Sequence, residues 1–277
     1  MSRVSENRQL VCVVIPVYQS SLNEHEQIAL AQCLRVLGPY PLFLIKPHSL
    51  DVSYLTTPHP QLQIRAFDDS FFRDVQTYNR LMLSEAFYEA FADFEYMLIY
   101  QLDAFVFRDE LADWCRRGYD YIGAPWLRDR DFTSWTDEAI FNMKKRMALW
   151  LNLKKDDGVT PREITALNGV GNGGFSLRRI PTFMRWIRYF SRKIANYEKN
   201  HAHQYNEDVF WGVEVNRYFP LLQIPDFRTA MRFSVEFYPE RAVNQYNGGQ
   251  LPFGCHAWEI HGTDYWRPIF ATYGFVI

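Results

Sequence analysis

Asp103 ends the segment Tyr100-Gln101-Leu102-Asp103, between one strongly apolar run and a second, Ala104-Phe105-Val106-Phe107. A carboxylate in that setting is costly to bury unless it is paired or bound to a metal. Hard divalent cations take such oxygen ligands together with substrate phosphates. A turn aspartate capping the next element would use the same residue, and the local spacing leaves both readings open.

Two further segments carry polar chemistry. Asn168-Gly169-Val170-Gly171-Asn172-Gly173-Gly174 holds four glycines within six residues. It has neither the G-x-G-x-x-G spacing of a dinucleotide loop nor the G-K-[ST] ending of a P-loop. A tight loop against a sugar and an ordinary glycine hairpin both fit. Asn206-Glu207-Asp208-Val209 places paired carboxylates at the opening of an apolar helical turn. Either acid can act as a general base, and either can simply favour a helix N-terminus. His256, in the aromatic loop Phe253-Gly254-Cys255-His256-Ala257-Trp258, has a structural and a ligating reading as well.

The elements that position these residues alternate along the chain. Leu10 to Val17 reads as a buried parallel strand, Glu24 to Leu37 as a helix capped by Asn23 and stopped at Gly38-Pro39, and Pro41 to Ile45 as a second strand. Such a strand, helix and strand form a right-handed βαβ unit. The pattern repeats with a strand at Leu62 to Ala66, an amphipathic helix at Val75 to Phe91 and a strand at Tyr96 to Tyr100, and a later helix is predicted at Pro181 to Ala195. Ligands of open parallel sheets bind beyond the carboxyl ends of the strands. Tyr18, Lys46 and Asp103 all lie at such ends. Between Leu127 and Ala166 the composition turns polar around a helical stretch near Ile140 to Leu153, which reads as an insertion or lid. The expected fold class is therefore α/β, a mostly parallel sheet flanked by helices in one domain over residues 1–277.

Composition narrows the function classes. The 277 residues are 48% hydrophobic and 17% aromatic, enough for a sizeable core. Thirty Lys and Arg against 32 Asp and Glu give no overall electrostatic reason to expect a nucleic-acid or anionic-membrane partner. The four cysteines are widely spaced, without a C-x-x-C pair, and read as reduced structural thiols. Met1 to Leu10 is polar, and the apolar run after it is too short for a signal peptide or a span, so no transmembrane segment and a cytoplasmic location are expected.

As a set, Ile15-Pro16-Val17-Tyr18, the segment from Tyr100 to Phe107, Tyr119 to Trp126, Val170 to Arg178 and Asn206 to Phe210 resemble the GT-A fold of nucleotide-sugar glycosyltransferases. The closer resemblance is to a GT-A-like family catalogued as a domain of unknown function, over about residues 10 to 258. The resemblance implies a glycosyltransferase moving a sugar from a UDP- or GDP-sugar donor to a glycan or other hydroxyl acceptor, with inversion, in bacterial surface glycan or polysaccharide synthesis. It also implies a divalent metal, Mn2+ or Mg2+, held by Asp103 and His256. Pro16, Val17 and Tyr18 would flank the nucleotide base, with Lys46, Asn79, Gln101 and Asp103 completing the donor side. Asp208, with Glu207, would deprotonate the acceptor. Trp126, Asn172, Gly173, Gly174 and Trp211 would meet the sugar or acceptor. Gln101 departs from the family's D-x-D motif by replacing its first acid, which removes a charge from the metal site.

Two other readings compete. A nucleotidyltransferase needs a glycine- and Arg/Lys-rich loop after the first strand, and Gln19-Ser20-Ser21-Leu22-Asn23 is not one. A non-catalytic carbohydrate- or nucleotide-sugar-binding protein on the same fold would use Trp126, Trp211 and Trp258 as stacking platforms.

Overall fold

The computed structural model describes residues 8–277; the first seven residues of the polar N-terminal stretch lie outside them. The backbone of the fold is a six-stranded sheet in the order β3-β2-β1-β4-β7-β6. Its members are β1 (Gln9–Pro16), β2 (Leu42–Pro47), β3 (Leu62–Phe67), β4 (Phe94–Tyr100), β6 (Tyr121–Ile122) and β7 (Phe175–Arg179). The first four run parallel, and β7 is antiparallel to both β4 and β6. A smaller sheet joins β5 (Phe105–Val106), β9 (Gly254–Cys255) and β8 (Ser234–Val235).

Strand β1 explains why the sequence is apolar at nearly every position. Successive side chains point to opposite faces of a sheet, and both faces are covered. Val11, Val13 and Ile15 enter one core, while Cys12 and Val14 enter the other. A third core, around Phe105, Trp258, Trp266 and Phe270, packs under the small sheet. All four cysteines are buried and free. Among the described residues, no helix is long and apolar enough to cross a membrane.

Local signals set the helix ends. The first helix runs Glu24–Leu37, and Asn23 and Glu26 form a reciprocal capping box. The long helix expected over Val75 to Phe91 is two, Val75–Met82 and Glu85–Glu89. Ser84 breaks it, because its hydroxyl accepts the Phe87 N–H and starts a new helix. The helix expected from Pro181 to Ala195 likewise divides into Ile180–Tyr189 and Ser191–Tyr197, with Phe190 turning out of helical geometry between them. Within the polar segment, a helix spans Trp135–Trp150 and has Ser134 as its cap.

Asn23 and Glu26 also line the main cleft, so the cap fixes one of its walls. Asn23→Ala removes that cap, and a loss of about 1 kcal/mol is expected in a urea titration. An unchanged midpoint would show that tertiary packing alone holds the helix end.

Candidate functional site

The register of the small sheet assembles the site. Phe105 pairs with Cys255 in antiparallel register, so the residues just outside that pair, Asp103-Ala104 and His256, face one another. Val235 pairs with Cys255 in parallel, which brings Glu236 alongside His256. Three strand ends thus deliver a carboxylate, an imidazole and a second carboxylate to one place. The chain then turns sharply at Ala257, whose φ of 48° is left-handed despite its methyl group. Such backbone is costly for a residue with a Cβ and persists where the surroundings impose it.

The large sheet supplies the other donor. Beyond the β4–β7 pairing, the Gln101 N–H donates to the Gly174 carbonyl at 2.8 Å and holds Gln101 beside the glycine-rich loop. His256 Nε2 lies 3.1 Å from Asp103 Oδ1 and 3.2 Å from Gln101 Oε1. Its Nδ1 is 3.9 Å from Glu236. Burial opposes charge on this ring, yet Asp103 and then Glu236 raise its pKa to about 10. Burial likewise opposes ionisation of Asp103, and the adjacent imidazole outweighs it, holding the carboxyl below its usual value.

Glycine is required in this loop by space. A Cβ on Gly174 would stand 1.9 Å from His256 Nε2, and one on Gly173 would stand 2.2 Å from Glu207 Oε1. Asn172, at φ 49°, bends the loop and hydrogen-bonds Glu236 through its side-chain amide. The loop is therefore packed directly against both polar clusters.

The paired acids have different surroundings. Glu207 is buried, and its Oε1 accepts from Arg178 Nη2 at 2.8 Å. Arg178 on β7 is itself fully buried, and also donates to the Tyr88 hydroxyl, the Ser176 hydroxyl and the Gly173 carbonyl. Glu207 Oε2 has no hydrogen-bond partner. Among the described residues no cation pairs with Asp208. Burial, and then the neighbouring Glu207 charge, push its pKa up to about 7. A π-helical turn, Phe210–Glu214, follows immediately, a rare geometry that often accompanies functional sites.

A cleft of about 490 Å³ runs between these clusters and is lined by Pro16, Tyr18, Asn79, Gln101, Asp103 and His256, together with Asn172, Gly173, Gly174, Glu207 and Asp208. Asn79 ties the Val75–Met82 helix to the acidic segment, donating to Asn206 at 3.0 Å. Sequence reasoning missed Glu236, Arg178, Tyr78 and Arg73. The last two line the cleft from the start of the Val75 helix, where nothing but position marks them. Arg178 was visible only as one of two adjacent arginines closing a short mixed strand.

Several expected site residues stand elsewhere. Trp211 is 0% exposed and stacks on Phe183 with centroids 4.1 Å apart, so it is core and offers no face to a sugar. Trp258, also fully buried, packs against Phe270. Trp126 lies over Gly171 outside the cleft wall. Val17 belongs to the core, and the Lys46 ammonium turns back to the carbonyls of Pro47 and His48. Strand β2 runs past its expected end at Ile45 through Lys46 to Pro47, so Lys46 is a strand residue, and side-chain direction is not readable from an apolar run.

A divalent cation fits the donor set in one respect that geometry makes explicit. Asp103 Oδ1 and Gln101 Oε1 are both lone-pair donors converging on one ring nitrogen, and Asp103 Oδ1 is buried without another partner. Among the described residues no group of three His, Cys, Asp or Glu side chains is arranged for a metal. The third donor here is the neutral amide oxygen of Gln101.

The fold is that of GT-A glycosyltransferases. The galactosyltransferase LgtC, solved with donor and acceptor sugar analogues, superposes with a TM-score of 0.51 at 13% identity, covering 88% of this chain and 86% of LgtC. Mouse xyloside xylosyltransferase 1 gives a TM-score of 0.47 at 13% identity over 90% of this chain and 97% of that one. Core-mannan synthase A from Aspergillus fumigatus, in an Mn/GDP form, gives 0.46 at 13% identity over 82% and 77%. Among curated proteins none matches this chain in sequence. Residues 61–256 match the family described as "Protein of unknown function (DUF5672)", and the chain belongs to that family.

The buried ion pair makes a direct prediction. Arg178→Met leaves the Glu207 carboxylate buried and unpaired, which costs about 3–5 kcal/mol. Adding Glu207→Gln should recover part of that loss in the same denaturant titration. Additive losses would mean that the two side chains act independently.

Proposed function

We propose that the protein transfers a glycosyl group from a nucleotide-sugar donor to an acceptor hydroxyl, with Asp208 as the general base. The observation that carries this reading is the environment of Asp208, a cleft-lining carboxyl whose pKa of about 7 suits a base that works near neutrality. The LgtC structure, holding donor and acceptor sugar analogues on a similar fold, supports the choice of substrates.

In the proposed step the acceptor oxygen attacks the anomeric carbon as the bond from that carbon to the nucleoside diphosphate breaks. The acceptor proton passes to the Asp208 carboxylate, and the diphosphate leaves with the bonding pair. Single displacement of this kind inverts the anomeric configuration. Glu207, neutralised by Arg178, is positioned to accept a hydrogen bond from a sugar hydroxyl through its free oxygen. Gln101 and Asn172 add neutral polar contacts along the same wall.

Charge supports a cation requirement. The cleft is lined by six carboxylates, those of Glu26, Asp74, Asp103, Glu207, Asp208 and Glu259, against the cationic Arg73 and His256. A diphosphate entering such a surface meets net repulsion. A divalent cation held by Asp103, the Gln101 amide and the His256 ring, which would give up the proton it shares with them, would supply charge neutralisation for the diphosphate. Mn2+ or Mg2+ suits these oxygen and imidazole donors.

The segment 127–166 is better read as a brace than as a lid. None of its residues lines the cleft, while Lys145 Nζ donates to the Leu167 carbonyl at 2.8 Å and Arg128 N–H to Asn168 Oδ1 at 3.0 Å. Both contacts support the glycine-rich loop from outside. Residues 8–277 then work as one catalytic unit.

Two experiments test the reading. UDP or GDP should raise the melting temperature with Mn2+ present and not without it, and Asp103→Asn should abolish that shift while keeping the ligand-free melt. A nucleotide shift that ignores metal would remove the cation from the proposal. Asp208→Asn should lower the transfer rate roughly 10²–10⁴-fold with donor affinity little changed. Because the Asp208 pKa is raised, the parent rate should climb with pH up to about 7 and then level, and the variant should lack that limb. The sign for stability is opposite: a raised carboxyl pKa stabilises at low pH and loses that contribution as pH rises through 7. Asp208→Asn should therefore be the more stable protein at pH 8. Proton NMR of fresh product showing the donor's configuration would exclude Asp208 as the base.

A further inference from the structure

The helix Trp135–Trp150 presents an apolar face to solvent from Ile140 to its end, with a further exposed tryptophan at its start. Trp135 is 80% exposed and Trp150 67%, and Ile140, Met143 and Met147 between them are about half exposed. With 3.6 residues per turn Ile140, Met143, Met147 and Trp150 fall in one stripe about 80° wide, while Trp135, in the first turn, points roughly 100° around from its centre. The opposite side, through Phe141, Lys145 and Ala148, is the one that packs on the protein. A stripe of this size is unusual on a surface that faces only water.

The charges around the stripe are informative. The acids of the first turn are engaged, Asp137 with the Thr133 N–H and Glu138 with the guanidinium fork of Arg228. Lys144 and Arg146, both exposed, have no carboxylate partner among the described residues. The free charges bordering the apolar stripe are therefore positive, although the chain as a whole carries −2.

We propose that this helix is a docking surface for an anionic lipid bilayer, lying in the plane of the interface. A tryptophan at the end of an aliphatic and thioether stripe, with a cation on either side, is the arrangement interfacial helices use. Indole rings favour the headgroup level, and the stripe enters the boundary with the acyl chains. Lys144 and Arg146 meet lipid phosphates. The helix is too short and too charged to span. Docking leaves the cleft free, because no residue of the helix lines it.

Co-sedimentation of the full chain with phosphatidylcholine vesicles, with and without phosphatidylglycerol, tests the surface. Binding is expected only to the anionic vesicles and should fall as salt rises. The variant Met143→Ser/Met147→Ser/Trp150→Ser should lose it, and Lys144→Glu/Arg146→Glu should weaken it roughly fivefold or more. All are surface changes, and thermal melts confirm folding; Trp150→Ser alone serves if the triple variant melts early. Three outcomes overturn the proposal. They are no binding to anionic vesicles, binding that the variants leave unchanged, and a wild-type self-association that the serine variant abolishes. The last would make the face a protein interface.

Discussion

The site depends on one buried cation. Arg178 sits on β7 with no exposure and is satisfied by Glu207, Tyr88, Ser176 and the Gly173 carbonyl. Each partner comes from a different part of the chain: the acidic segment, the helix after Ser84, the strand itself and the glycine-rich loop. A guanidinium taken out of water is tolerated only when such bonds are complete. Its burial therefore fixes all four parts together, and the cleft is the space that remains between them.

A second constraint works at the seam between the two sheets. The three strands of the small sheet are two residues long, too short for pairing alone to be stable. They are held by the core beneath them, where Phe105 stacks on Phe270 with centroids 3.9 Å apart. Aromatic packing thus sets the register, and the register sets which side chains meet. A slip of one residue would turn Asp103 and His256 to opposite faces. The aromatic C-terminal third is in this sense part of the polar site.

How much of this the chain discloses by itself varies with the kind of interaction. Strands β1 to β4 and the capped first helix were legible because apolar runs and Asn23 act locally. The breaks at Ser84 and Phe190 were not, since an apolar helical pattern continues on both sides and only a side-chain hydroxyl or a tertiary contact decides. Asp103, His256, Glu207 and Asp208 stood out as polar residues in apolar surroundings, and all four line one cleft. Trp211 and Trp258 misled for the converse reason: a tryptophan beside a motif looks like a platform, and burial is a property of the whole fold. Glu236 lay in no recognisable motif, because only the β8–β9 pairing brings it to His256.

The adjacent acids illustrate how one backbone segment supplies two chemistries. Glu207 and Asp208 differ by one methylene, yet the first has a guanidinium at 2.8 Å and the second has only a backbone N–H. The guanidinium is paired with Glu207 in a dry wall. The Glu207 charge is among the causes that make ionisation of Asp208 harder. Arg178 bears on the reactive carboxyl in two opposed ways: it holds Glu207 in place beside Asp208, and its own charge lowers the Asp208 pKa. The sequence pair is symmetric on paper, and the buried cation is what breaks the symmetry.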